Sequence, residues 1–254
     1  MKIGIIGNGY VGNAVKNGFE SKGYLVKTYD KFKKSDVFET IALCDFIFIC
    51  VPTPSNSDGS ICLIEVDEVF TRFMLAQPQG IIIIKSTVLP GTAQAYQNKY
   101  PDLKIVSNPE FLTHSTAEYD FLHPDKIIIG YTRQSESAVN EVTKLYSSFR
   151  APIKIVKSEE AEMSKYMVNA YYYTRVIFAN EIYDICQALG VDYEKVRECF
   201  EMDKRVAPGH FDVFHGGYRG VGGSCLPKDL CALISVTGTA LFRVLRAINR
   251  RLMK

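Results

Sequence analysis

The sequence predicts an α/β protein, a doubly wound parallel sheet over residues 1–157 followed by a helical second domain over 158–254. Two observations carry this. Short apolar runs alternate with helical stretches through the first half, the rhythm of βαβ units. From Ser158 the pattern changes, and residues 160–189 form a run without glycine or proline.

In order along the chain, residues 2–6 are almost continuously apolar, as expected of a strand buried on both faces. Gly7-Asn8-Gly9-Tyr10-Val11-Gly12 follows, and residues 13–19 can continue as a helix. Glycines between a strand and a helix leave backbone N–H groups exposed to a pyrophosphate. The next strand, 24–29, ends at Asp30, 23 residues beyond Gly7. A carboxylate there accepts the ribose hydroxyls of NAD and repels the extra phosphate of NADP. Gly7 through Gly12 and Asp30 are therefore the expected NAD site of a Rossmann-like domain. Lys31, Lys33 and Lys34 read as a solvated cluster, although they leave NADP open.

Further strands are expected at 45–51, 80–85, 104–107, 126–130 and 153–156, with helices at 64–76, 92–99 and 135–149. Ligands of such a sheet bind beyond the carboxyl ends of its strands, so Thr53, Thr87 and Glu110 should face one crevice. For each one singly, a turn or cap is the plainer role.

As a helix, 160–189 would extend about 45 Å and either cross between domains or pack on a second subunit. Tyr171, Tyr172 and Tyr173 suit a core or a dimer interface. Lys165 and Asn169, four apart, share a helix face. Asp192 can cap a helix over 193–201, and an amphipathic helix over 240–252 closes the chain. Between them lies Gly220-Val221-Gly222-Gly223-Ser224-Cys225-Leu226-Pro227-Lys228-Asp229. With Pro227 at the first helical position, the Cys225 thiol would sit at a helix N-terminus beside Lys228, and both features favour a thiolate. The competing reading is a helix cap made by Asp229, with the cysteine filling space.

Composition limits the partners. Thirty basic residues against 28 acidic ones, with no basic tail, argue against nucleic acid. No apolar run reaches membrane-spanning length, so no membrane partner is expected. Seven cysteines, an odd number, behind an N-terminus that runs directly into a strand, point to reduced thiols and a cytoplasmic protein.

The glycine fingerprint, Val51-Pro52-Thr53-Pro54, Ser86-Thr87-Val88 with Gly91-Thr92, Asn108-Pro109-Glu110-Phe111-Leu112, Lys165 with Asn169, Asn180-Glu181 and Gly222 to Asp229 together resemble the UDP-glucose/GDP-mannose dehydrogenase family. The resemblance implies two-step, NAD-dependent oxidation of a nucleotide sugar's C6 alcohol to a carboxylate, with UDP-glucose to UDP-glucuronate as the leading case. It implies that Cys225 attacks the intermediate aldehyde and carries a thiohemiacetal and then a thioester. Lys165 and Asn169 would stabilise the oxyanions, and Asp229 with Thr87 and Glu110 would manage water and protons. Thr53 and Thr87 would also touch the cofactor. Arg205, Gly222 and Gly223 would bind substrate, Arg205 reaching a neighbouring subunit of a homodimer built on the long helix. Two departures stand out. His114 replaces a family glutamate four residues after Glu110, and the resemblance covers the cofactor and central domains but not the third, nucleotide-holding domain. A dehydrogenase of a smaller hydroxy acid, and an NAD-binding or oligomerising module without full activity, remain as alternatives.

Overall fold

The computed structural model describes residues 1–253. Its contacts divide the chain into two compact units, Met1–Pro54 with Ile61–Lys165, and Ser55–Ser60 with Tyr166–Lys254.

The first unit is built on seven strands, β1 (Lys2–Ile6), β2 (Leu25–Tyr29), β3 (Phe46–Ile49), β4 (Ile81–Ile84), β5 (Lys104–Ser107), β6 (Ile127–Tyr131) and β7 (Ile153–Lys157). Six helices connect them: α1 (Tyr10–Ser21), α2 (Phe38–Ala42), α3 (Ile64–Ala76), α4 (Thr92–Lys99), α5 (Ala117–Leu122) and α6 (Val139–Tyr146). The order in the sheet is β2-β1-β3-β4-β5-β6-β7. Chain order reverses at β1, which pairs in parallel with both β2 and β3, and this opens a crevice at their carboxyl ends.

The sheet is mostly parallel. Contrary to a wholly parallel reading, β5 and β6 run antiparallel over two residue pairs, Val106 with Tyr131 and Ser107 with Gly130. The physical reason lies in the connection. The helix of residues 108–126, α5, has six residues and packs on α1, with Phe121 and Phe19 rings 5.6 Å apart. An antiparallel neighbour needs no crossover over the sheet face.

Strand side chains alternate between two cores. Phe46 and Phe48 join one with Phe19 and Tyr146, while Ile47 and Ile49 join the other with Phe70 and Phe73. In β4, Ile81 and Ile83 face the first core, Ile82 and Ile84 the second. This is the period of two that makes a doubly covered strand apolar throughout.

The long helix, α7, runs Ser158–Leu189, starting two residues before the expected 160. Its first eight residues belong to the sheet unit and the rest to the second unit. Three more helices follow, α8 (Tyr193–Glu201), α9 (Cys225–Thr237) and α10 (Ala240–Leu252). Asp192 caps α8 as its position predicts, its Oδ1 accepting from Glu194 N at 3.0 Å. Tyr193, Phe211, Val213, Ala179 and Cys186 form a small core here, and the Tyr193 hydroxyl donates to Phe211 O at 2.8 Å. Tyr173 is buried whereas Tyr171 is 55% exposed, so the tyrosine triplet does not act as one apolar block. The expected helix over 135–149 narrows to α6 with single 3-10 turns at Glu136–Ala138 and Ser147–Phe149. Among the described residues no helix is long and apolar enough to cross a membrane.

Candidate active site

The glycine turn shows why its residues are glycines. Gly7 adopts φ of 91°, and a Cβ there would lie 2.7 Å from Cys50 O. A Cβ on Gly12 would lie 1.9 Å from Gly7 O, so the turn closes only without side chains. Gly9, the N-cap of α1, is different, because a Cβ there meets nothing within 4 Å and no side chain caps the helix. The start of α1 thus offers backbone N–H groups and the positive end of a helix dipole to an approaching anion.

Asp30 lies where expected, at the end of β2. Its Oδ2 accepts from Asn8 N at 2.7 Å and its Oδ1 from Phe32 N at 2.9 Å. The carboxylate therefore braces the glycine turn and keeps lone pairs for a ribose. Asn8 Oδ1 is buried without a hydrogen-bond partner in the chain, a polar atom that a ligand would satisfy. A cleft lined by Gly7, Asp30, Val51 and Arg72 adjoins these groups, and Arg72 stacks 3.9 Å from the Phe38 ring centre. Two lysines of the basic cluster have partners within the chain, one of them in the glycine turn itself. Lys31 donates to Glu68 at 2.6 Å, which raises its pKa, and Lys33 donates to Asn8 O at 2.5 Å. These residues fit NAD, with the Asp30 carboxylate at the ribose position.

The loops after β3 and β4 are joined by Thr53 Oγ1 donating to Thr87 O at 2.7 Å and Ser86 Oγ donating to Val51 O at 2.7 Å. After β5, Glu110 Oε1 accepts from Lys165 Nζ at 2.9 Å and Oε2 from Leu112 N at 2.6 Å. Both side chains of this ion pair are below 9% exposed. His114 stands on the surface with its ring centre 4.9 Å from that of Tyr10 in the glycine turn.

Two buried charges in this unit were missed from the sequence. Lys85 ends the all-isoleucine strand β4 and donates to Asn108 Oδ1 at 2.9 Å, an oxygen that also accepts from the Tyr146 hydroxyl at 2.6 Å. Burial pushes the Lys85 ammonium down to about 8. The signal was available, since a lysine directly after Ile81–Ile84 on a doubly covered sheet has no route to solvent.

The second is Glu162 on α7, 2% exposed, which accepts from Gly91 N at 2.6 Å and Ala93 N at 2.9 Å and so caps α4 from a distant element. Burial raises its pKa to about 8 and outweighs the two N–H donors, which favour the carboxylate. An acid whose folded pKa exceeds its ordinary 4.5 adds stability at low pH and loses it as pH rises through the folded value. The melting temperature is expected to fall between about pH 4.5 and about pH 8, and Glu162→Gln to flatten that slope. Thermal melts across the window check this, and an unaltered slope in the variant would refute it.

In the second unit, α9 begins at Cys225 itself, not at Pro227. The thiol is half-buried on the first residue of the helix, with Ser224 Oγ 3.7 Å away. Asp229 is not a cap. One turn further along the same helix face and 1% exposed, it accepts from Asn169 Nδ2 at 2.5 Å and from Lys228 Nζ at 2.6 Å. Lys228 is thus directed at the carboxylate and not at the thiol. At Gly222 a Cβ would lie 2.0 Å from Tyr218 Oη, so a larger residue there would displace that ring, and Gly223 takes φ of 73°. Arg205 is 89% exposed and chelates Asp203, with Nη2 to Oδ2 at 2.6 Å.

The structure therefore brings Asn8 to Asp30, Thr53 to Thr87 and Glu110 to Lys165 in the first unit, and Asn169 to Asp229 in the second. Lys165 and Asn169 lie one turn apart on α7. In class this is a Rossmann-type dinucleotide-binding protein whose second unit carries a thiol and a buried carboxylate on one helix.

The chain belongs to the UDP-glucose/GDP-mannose dehydrogenase family. Residues 25–150 match that family's NAD binding domain and residues 159–251 its central domain. Residues 25–150, within the first unit, are accordingly the family's NAD-binding region, and NAD is the cofactor. The UDP-glucose 6-dehydrogenase YwqF of Bacillus subtilis is 35% identical over 78% of this chain and 46% of its own length. The UDP-glucose 6-dehydrogenase AglM of Haloferax volcanii is 31% identical over 92% of this chain and 65% of its own length. The chain thus spans about half to two thirds of these relatives. Among solved structures, a UDP-glucose dehydrogenase from Pyrobaculum islandicum superposes with a TM-score of 0.87 at 29% identity, covering 98% of this chain and 68% of its own.

Proposed function

We propose that the protein oxidises the C6 alcohol of a nucleotide sugar, UDP-glucose foremost, to the carboxylate in two NAD-dependent steps through a covalent adduct on Cys225. The observation that carries this reading is the Cys225 thiol at the start of α9 with the buried Asp229 on the same helix face, bonded to Asn169. NAD supplies the hydride acceptor in each step. Between the two oxidations the thiolate adds to the aldehyde carbon, forming a C–S bond and an oxyanion, which gains a proton as the thiohemiacetal. After the second hydride departs, the product is a thioester, and water attack breaks the C–S bond to release carboxylate and thiol. A cation and an amide donor suit the oxyanions, the roles given to Lys165 and Asn169. Asp229 orders and deprotonates the attacking water, and Glu110 and Thr87 are assigned to holding protons and water. Gly7 to Gly12, Asp30 and Thr53 hold the dinucleotide, and Arg205, Gly222 and Gly223 serve the substrate.

A homodimer through α7 belongs to the same reading. Met167, Tyr171, Phe178, Ile185 and Leu189 are all about half or more exposed, at spacings of four and seven residues that form one stripe.

The test is a panel of nucleotide sugars assayed for NADH, with light scattering on the same sample. About two NADH per UDP-glucose and the mass of a dimer are expected. One NADH per substrate, insensitive to thiol alkylation, would favour a smaller hydroxy acid. Binding of NAD with no nucleotide sugar would favour a module without full activity, and a monomer mass would refute the dimer.

A further inference from the structure

The segment that delivers Cys225 contains Gly220, Gly222 and Gly223, and glycines lose more conformational freedom on ordering than any other residue. Something must hold it if a thiol at its end is to meet a substrate atom, since a misplacement of about 1 Å can cost about a hundredfold in rate.

Two side chains hold it, one reaching in from outside at Val221 and one reaching out from Arg219 two residues earlier. Asn249, on the last helix of the chain and 6% exposed, uses both ends of its amide on one residue. Its Oδ1 accepts from Val221 N at 2.6 Å and its Nδ2 donates to Val221 O at 3.0 Å. This is the pairing a neighbouring strand would offer. Gly220 has φ of 83°, and a Cβ there would lie 2.6 Å from Asn249 Oδ1, so the backbone approaches the amide as closely as glycine allows. Two residues before Val221, Arg219 reaches α7. Its Nε donates to Asn180 Oδ1 and its Nη2 to Asn180 O, both at 3.0 Å, while Nη1 pairs with Asp184 Oδ1 at 2.6 Å. Asn180 is fully buried and its own amide is fixed by donating to Val176 O at 2.9 Å.

We infer that Asn249 and Arg219 form a two-point clamp on residues 219–221 and are positioning residues for the Cys225 thiol, which makes α10 part of the mount of the reactive loop. The clamp works through the backbone. With Val221 fixed, only Gly222, Gly223 and Ser224 separate an anchored residue from the first turn of α9. The inference rests on Cys225 being the nucleophile.

The experiment compares wild type with Asn249→Ala and Asn249→Asp in the full chain. In Asn249→Ala, amide hydrogen exchange over residues 219–223 is expected to accelerate by about tenfold or more while the sheet keeps its protection, and kcat to fall about tenfold with KM for NAD unchanged. Asn249→Asp keeps the acceptor for Val221 N but sets a carboxylate oxygen against Val221 O, which repels until the acid is protonated and can donate. Its kcat relative to wild type at each pH is expected to recover by about threefold or more as the pH falls from about 7 to about 5, towards the ordinary carboxyl value of about 4. That recovery, which loss of fold would not produce, decides the matter if the alanine variant does not fold. Unchanged exchange over 219–223, or a wild-type kcat in a loosened loop, or a pH-independent ratio in Asn249→Asp, would overturn the clamp. If wild type oxidises no nucleotide sugar, the proposed function fails separately, and the clamp is read from exchange and from iodoacetamide labelling of Cys225. A labelling rate altered about fivefold or more in Asn249→Ala is then expected, and an unaltered rate overturns the inference.

Discussion

Replacing Cys225 by alanine is expected to remove carboxylate production, by a factor on the order of 10³ or more, while leaving NAD binding intact. The argument follows from the electrons. A free aldehyde carbon has no heteroatom nucleophile attached from which a second hydride can be driven out. The thiol supplies that bond and later leaves as thiolate. Every residue assigned to the dinucleotide lies in the sheet unit, whereas Cys225 opens α9 in the other, so titration with NAD should give the wild-type affinity. The decisive measurement is product stoichiometry. A variant that still released two NADH per sugar at a rate near wild type would eliminate the covalent route and leave Asp229 to act on an aldehyde hydrate.

The second large effect concerns the Lys165 and Glu110 pair. With side chains 8% and 5% exposed, neither charge has water to fall back on when its partner is removed. Lys165→Met should leave a buried carboxylate whose remaining bond in the chain is to Leu112 N, and cost about 3–5 kcal/mol in urea unfolding. The double variant Lys165→Met/Glu110→Gln removes both charges and should recover part of that loss, because a buried pair is worth less than the penalty of breaking it. If the single variant unfolds within about 0.5 kcal/mol of wild type, the pair is hydrated in solution and the burial argument fails. The activity of the double variant tests the pair's part in the chemistry. Recovered stability with NADH formation still lost places the pair in the reaction, and recovered activity removes both groups from it.

This pair also shows how far the sequence could be read. Lys165 and Asn169 were visible as neighbours because helix geometry fixes what lies four residues away. That Lys165 would turn to Glu110, and Asn169 to Asp229, was not visible, because these partners come from loops and helices far along the chain. The same limit explains why Lys228 read as a neighbour of the thiol. Adjacency in sequence placed it there, and the buried carboxylate beside it claimed its charge. His114 stood out in sequence as a substitution, and in the fold it rests on the Tyr10 ring at the entrance to α1.

What the amino-acid sequence determined by itself is the frame. Apolar runs of strand length, the glycine turn with its acid, and a long glycine-free helix each encode a local backbone state and a buried face. Local propensity and hydrophobic period are properties of short windows. The tertiary structure alone decided the antiparallel step between β5 and β6, the burial of Lys85, the remote cap that Glu162 places on α4, and the grip of Asn249 on Val221. Each of these turns on which polar atom finds a partner once water is excluded. That is settled by where distant elements pack, and the penalty for an unpaired buried group then enforces it.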